Sequence, residues 1–156
     1  MTGRHDRLIQ EHKHDPYMSK GKLQEPTVCP ECSAAYHKGR WSWDAPEAGA
    51  NKQLCPACQR IRDRVPAGCL SLGGGFFAQH REDIMNLVRN VEEKEKQAHP
   101  LKRVMGVEEG ADETLITLTD VPLTRAIGDA IHRAYQGELD AQYTRGGDTL
   151  RVTWRR

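Results

Sequence analysis

TVCPECSAAYHKGRWSW, residues 27–43, places a C-P-x-C pair directly before a run of basic and aromatic side chains. A second pair with the same spacing, Cys55 and Cys58, follows further along the chain. Each pair can present two thiolates from one tight turn, and two such turns together complete a tetrahedral sulfur site. One structural zinc ion is therefore predicted, with Cys29, Cys32, Cys55 and Cys58 as its ligands.

Two other sites could use the same cysteines. Four thiolates also bind iron, because both metals accept tetrahedral sulfur, and the sequence does not separate the two metals. C-P-x-C is also the spacing of thioredoxin-type redox sites, which are expected to carry one motif within a βαβ pattern. This chain has two motifs and no long apolar strand before the first. A metal with four protein ligands has no open position for a substrate, so no enzymatic activity is predicted at the metal.

Composition limits the class of protein. Of the 156 residues, 37% are apolar and 29% are charged, which favours small units over one large core. No apolar run approaches the length of a membrane span. The opening residues, MTGRHDRLIQEHKHD, lack the apolar segment of a secretory signal, so the cytoplasm is the expected compartment. Neither a membrane nor a small-molecule substrate is expected as a partner.

The chain is predicted to have an α+β fold with four segments. These are a flexible basic N-terminal arm (1–26), a four-cysteine zinc ribbon in which short strands flank each turn (27–72), a linking helix (73–100) and a compact ββαββ domain (101–156). The arm is rich in charge and poor in apolar side chains, so it cannot bury enough surface to fold alone.

Glycine and apolar spacing predict the elements after the ribbon. Three consecutive glycines, residues 73–75, indicate a flexible joint. Apolar residues then repeat at intervals of three and four, which predicts the long helix. The last segment contains two β-rich runs, a helix that begins after Asp120 as its N-cap, and two further strands joined by Arg145–Asp148.

Basic and aromatic residues lie close to both cysteine pairs. Cations there would contact phosphates, while an exposed ring of Trp41 or Tyr36 would stack on an unpaired base. The alternative is that the tryptophans cover a small core and the charges are ordinary solvated surface. The predicted nucleic-acid-binding residues are Lys20, Lys22, Tyr36, Lys38, Arg40, Trp41, Arg60, Arg62 and Arg64.

The segments CPECSAAYHKGRW and CPACQRIRDRVPAG, and more loosely RVMGVEEGADETLITLTDVPLTRAIGDAIHRAYQGEL, resemble a bacterial zinc-ribbon family. That family is distantly similar to the archaeal and eukaryotic large-ribosomal-subunit export adaptor of the nonsense-mediated-decay-three type. The resemblance implies binding to ribosomal RNA, with the four cysteines as metal ligands and no catalytic residues. The adaptor family has more C-x-x-C pairs and further β-rich domains, and bacteria have no nucleus, so its export role is not implied.

Three functions are compatible with these patterns. The leading hypothesis is a non-enzymatic RNA-binding protein that associates with the ribosome as an assembly, stress or dormancy factor. The second is a zinc-dependent protein-interaction or transcription-regulatory module, in which the helix within 76–98 is the partner surface. The third is a thiol oxidoreductase that uses the cysteine pairs.

Overall fold

A computed structural model of the chain describes Tyr17 and residues 23–156. The rest of the predicted N-terminal arm, including Lys20 and Lys22, lies outside the described residues. The described helices and strands are β1 (Thr27–Val28), β2 (Ala35–His37), β3 (Arg40–Ser42), β4 (Asn51–Lys52), α1 (Pro56–Asp63), β5 (Gly68–Gly73), α2 (Gly75–Ala98), β6 (Val104–Glu109), β7 (Glu113–Leu118), α3 (Val121–Tyr135), β8 (Glu138–Tyr143) and β9 (Leu150–Arg155). The predicted α+β class is confirmed. None of the described helices is long and apolar enough to cross a membrane.

The strands form two separate sheets. The first four make a small sheet with the order β3-β2-β1-β4, in which β1 is antiparallel to β2 and parallel to β4. The other five make a larger sheet with the order β6-β7-β5-β9-β8. We call residues 27–66 the cysteine module and residues 67–156 the sheet domain.

Strand β5 changes the predicted division of the chain. Its residues fall largely within the predicted ribbon (27–72), yet β5 is the central strand of the larger sheet, antiparallel to β7 and parallel to β9. The predicted ββαββ unit is present as β6, β7, α3, β8 and β9, with β5 inserted between β7 and β9. Buried Leu70 and Leu72 alternate with half-buried Cys69 and Ser71, which is the period of a strand. This strand was not predicted, because the three consecutive glycines at residues 73–75 indicated a flexible joint.

Gly74 shows why glycine follows β5. Its φ is +103°, and a Cβ atom at this position would lie 2.3 Å from the carbonyl oxygen of Arg156. Any side chain would therefore be strained and would collide with backbone. The three glycines predicted to form a flexible joint instead allow a tight junction between β5 and α2.

The core of the sheet domain combines strands with both long helices. One continuous buried cluster contains Leu70, Leu72, Phe77, Ile84, Met85, Val88, Ile116, Leu118, Leu123, Ile127, Ile131, Leu150, Val152 and Trp154. Helix α2 was predicted as a link within residues 73–100, but its apolar stripe is part of this core. The stripe on which the hypothesis of a partner surface at 76–98 rested is therefore covered by the chain itself.

Asp120 caps α3 and provides a test of this part of the fold. Its Oδ2 accepts a hydrogen bond from the amide of Leu123 at 2.7 Å. Burial raises the pKa of Asp120, although the Leu123 hydrogen bond and the charges of Lys102 and His99 oppose this change. The fold therefore disfavours the ionised carboxylate, and an uncharged acceptor should serve at least as well.

We expect Asp120→Ala to lower the free energy of unfolding by up to about 1 kcal/mol, because the cap is lost. Asp120→Asn keeps an acceptor without the charge, so its stability should equal or exceed that of the wild type. Urea unfolding at neutral pH measures both effects. Equal losses in the two variants would show that the negative charge of Asp120, not its hydrogen bond, stabilises the protein.

Candidate metal centre

The four cysteines of the two pairs converge on one point. Their Sγ atoms all lie within 4.8 Å of one another, and the Sγ atoms of Cys32 and Cys55 are 3.8 Å apart. Four sulfurs each about 2.3 Å from one ion stand about 3.8 Å apart in a regular tetrahedron. All four thiols are free. The cluster therefore fits a small zinc-binding site for one ion.

The first pair is held by a tight turn between β1 and β2. The amide of Ser33 donates to the carbonyl oxygen of Cys29 at 2.9 Å, and Ser33 has a left-handed φ of +68°. Burial raises the pKa of the Cys29 thiol, but hydrogen bonds from three backbone amides outweigh burial and lower the pKa to about 7. These amides belong to Cys55, Cys32 and Glu31. The turn thus favours the thiolate, the form that binds a metal.

The second pair lies at the start of a helix. Cys55 is the N-cap of α1, and its Sγ accepts a hydrogen bond from the amide of Cys58 at 3.3 Å. Pro56 occupies the first turn, where a missing N–H leaves no helical hydrogen bond unmade. Short strands were predicted to flank the cysteine turns, with a short helix or turn in QRIRDRV after Cys58. The first pair lies between β1 and β2, and the second has β4 before it and α1 after it, so the helix after Cys58 is confirmed.

Arg103 contacts three of the four sulfurs. Nη1 donates to Cys58 Sγ at 3.1 Å, and Nη2 donates to Cys32 Sγ at 2.9 Å and to Cys55 Sγ at 3.4 Å. Only 8% of Arg103 is exposed, and its Nε donates to the carbonyl oxygen of Pro100 at 2.7 Å. The guanidinium is therefore fixed in the orientation that directs its N–H groups toward sulfur.

Charge explains why an arginine suits this position. Four thiolates around one divalent ion carry a net charge of about −2, which a buried guanidinium partly neutralises. Burial lowers the pKa of Arg103, but its hydrogen bond to Cys58 and the charges of Cys55 and Cys32 raise the pKa above the ordinary value. Burial also raises the pKa of Cys55 and of Cys58, and Arg103 opposes this rise at both thiols. The Arg103 guanidinium and the thiolates of Cys55 and Cys58 therefore stabilise each other's charged forms.

Arg103 also connects the cysteine module with the sheet domain. It lies between α2 and β6, and its amide donates to Thr119 Oγ1 at 2.9 Å. Nearby, Trp43 Nε1 donates to the carbonyl oxygen of Lys96 at 2.7 Å, which joins the module to the end of α2. The cysteine cluster is therefore located at the boundary between the two parts of the chain. No sequence pattern indicated Arg103, because it is 45 residues from Cys58 and 71 from Cys32.

Not all of the predicted nucleic-acid-binding residues that the structure describes are exposed. Arg60 is only 5% exposed, and its Nη1 donates to the carbonyl oxygen of Val65 at 3.0 Å. Its guanidinium also lies 4.4 Å from the centre of the Tyr17 ring, so Arg60 is not part of an exposed basic surface. Arg62 lines a depression beside Cys58, whereas Arg40 lines a neighbouring cleft that shares Leu54 with this depression. Among the members of the predicted set that the structure describes, Lys38, Arg40, Arg62 and Arg64 are exposed.

A cleft of about 350 Å³ opens where the cysteine module meets the sheet domain. Tyr36 and Trp41 line it together, with ring centroids 5.5 Å apart and ring planes tilted by 56°. Trp41 also packs against the cysteine cluster, so it both covers a small core and borders the cleft. The other charged or titratable side chains of the cleft include Arg40, His99, Lys102 and Asp120.

Comparisons of the chain with protein-family models, with curated proteins and with solved structures find no match. The resemblance to the bacterial zinc-ribbon family stays a prediction from the sequence. Function is therefore inferred from three features of the site: a cluster of four sulfurs, an arginine that contacts it, and a cleft lined by aromatic and basic side chains.

Proposed function

We propose that the chain is a non-enzymatic RNA-binding protein whose cysteine module holds one structural zinc ion. The proposed setting is the ribosome, with a role in assembly, stress or dormancy. The observation that carries the proposal is the cleft, which Arg40 lines together with Tyr36 and Trp41. Proteins that bind single-stranded RNA combine cations, which attract phosphates, with aromatic rings, on which bases stack.

The charge available at the cleft supports this proposal. Arg40 is exposed and has no carboxylate partner within the described part of the chain. Lys38, two residues earlier in the turn between β2 and β3, is also exposed, although it does not line the cleft. The formal net charge of the whole protein is only +1, so attraction to RNA depends on such local groups.

The geometry of the sulfurs supports a structural role for the metal. All four positions of a tetrahedral ion would be filled by protein, which leaves none for a substrate. A thiol oxidoreductase needs an accessible attacking sulfur, whereas Cys29 and Cys55, the first cysteine of each pair, are both 0% exposed. Burial at these positions therefore favours metal binding over redox turnover.

A zinc-dependent protein-interaction module is the second candidate. It is favoured by exposed apolar side chains at the end of α1, where Ile61 is 39% and Val65 is 44% exposed. Ile61 also lines the depression beside Cys58. If this candidate is correct, Ile61→Glu abolishes partner binding, while substitution of Arg40 has no effect on it.

Substitution of Arg40 by glutamine is expected to weaken RNA binding and to lower the salt dependence of log Kd by about one unit of slope, because one phosphate contact is lost. Titration of ribosomal RNA at several salt concentrations measures this slope. Arg133→Gln is the matched control, since Arg133 is exposed in the last turn of α3, about 20 Å along the helix from Asp120 at the cleft. Identical slopes for the two variants, or salt-insensitive binding by the wild type, would contradict the proposal.

A further inference from the structure

We infer that the cleft binds one unpaired nucleotide of an RNA, with the base inside the cleft and a flanking phosphate at Arg40. This inference rests on the proposed RNA-binding function and specifies what the cleft recognises. The volume of the cleft, about 350 Å³, is near the lower end of the range for small-ligand pockets, about 300–1,000 Å³. Such a space suits one base with its ribose and excludes a duplex, whose bases are paired and stacked.

The aromatic wall of the cleft is held in place before any ligand arrives. Tyr36 and Trp41 are directly paired residues of β2 and β3, so the small sheet determines how their rings are placed. Trp41 is further restrained because it packs against the cysteine cluster. Rings that are already ordered lose little conformational entropy when a base stacks on them. Stacking on such rings also tolerates any base, since every base has a π-face.

Among the cations of the cleft, Arg40 is the best placed for a phosphate. Arg40 lines the cleft together with Tyr36 and Trp41 and is exposed, so its guanidinium is available to the backbone of a nucleotide bound there. Lys102 is less available because its Nζ lies 3.5 Å from Glu95 Oε2. A guanidinium also binds phosphate oxygens in a bidentate manner, which an ammonium does not.

Amide side chains can orient the base within the cleft. Gln53 and Gln59 both line it, and Gln59 Nε2 donates to the carbonyl oxygen of Leu54 at 3.1 Å. That hydrogen bond restrains the Gln59 amide and leaves its oxygen as an acceptor. Polar groups of this kind fix the orientation of a ligand in a pocket whose walls supply most of the contact.

The inference is tested with Tyr36→Leu, which removes one of the two rings of the aromatic wall, and Tyr36→Phe, which keeps it. Fluorescence anisotropy compares their binding of a short labelled single-stranded RNA and of a blunt-ended duplex of the same sequence. We expect Tyr36→Leu to weaken binding of the single strand about tenfold or more, and Tyr36→Phe to bind it like the wild type. Duplex binding should be unchanged in both variants. One equivalent of zinc and a wild-type circular dichroism spectrum establish that each variant is folded.

The outcomes distinguish a failure of the cleft inference from a failure of the proposed RNA-binding function. If Tyr36→Leu binds the single strand like the wild type while Arg40→Gln binds weakly, RNA binding stands and the cleft inference is overturned. Equal losses for single strand and duplex would also overturn it. Nucleoside monophosphates, titrated separately, should bind more weakly than the single strand because they lack flanking phosphates. Tighter binding of a monophosphate would replace the inferred RNA ligand with a free nucleotide.

Discussion

Substitution of Cys55 by serine is expected to abolish stoichiometric zinc binding and to unfold the cysteine module, while the sheet domain stays folded. The buried cluster of the module consists of three cysteines and Ala57. Such a small core cannot stabilise a fold on its own, and modules of this kind depend on their metal. Apparent free energies of structural zinc binding in small peptides, about 10–16 kcal/mol, show the size of the contribution that is lost.

The sheet domain should survive because its core has no member in the module. Its buried cluster begins at Leu70 and ends at Trp154. Hydrogen exchange therefore should show fast exchange of the amides in β1–β4 and α1, with protection retained in β5, β7 and β9. Metal analysis of the wild-type protein should give one zinc ion per chain, and iron instead would change the identity of the cofactor but not its structural role.

The matched control is Cys69→Ser, because Cys69 is the remaining cysteine and lies on β5 outside the cluster. This variant should keep one equivalent of zinc and the protection of β1–β4. Retention of that protection in metal-free Cys55→Ser would show that the module folds without metal. In the wild-type protein, a disulfide between Cys55 and Cys58 that forms and breaks during turnover would instead support the oxidoreductase hypothesis.

The convergence of the four cysteines could be predicted because its signal is local. Each C-P-x-C pair needs only one tight turn, and both turns are encoded by a few adjacent residues. The helix after Asp120 could be predicted for the same reason, since its cap and apolar spacing are contained in one segment. Local physical chemistry therefore accounts for the centre of the site and for most elements.

What could not be predicted depends on tertiary contacts. Arg60 differs from Arg62 only in its surroundings: it folds back onto Val65, and this burial has no counterpart in the sequence pattern. The role of β5 emerges only when β7 and β9 pair with its two edges. Arg103 belongs to no sequence motif, because its contacts with the sulfurs depend on the packing of the module against the sheet domain.

Substitution of Arg103 by methionine is expected to weaken zinc binding about 10–100-fold and to loosen the contact between module and sheet domain. Partners that hydrogen-bond to metal ligands typically have effects of this size on metal affinity. The variant also leaves the buried charge of the metal centre without its cation, at a cost on the order of 3 kcal/mol. Competition with a chromophoric chelator measures the affinity, and hydrogen exchange of residues 99–103 reports the contact.

Two further variants separate charge from geometry at this position. Arg103→Lys keeps a cation but cannot donate to three sulfurs and to Pro100 at once, so recovery of zinc affinity should be partial. Arg81→Met is the matched control, since it removes a half-exposed arginine whose ion pair with Glu109 contributes less than about 1 kcal/mol. Wild-type zinc affinity in Arg103→Met would show that the guanidinium only fills space beside the sulfurs. A loss in Arg103→Met with full recovery in Arg103→Lys would show that charge alone suffices, whereas a loss in both shows that the fork of N–H groups holds the sulfurs in place.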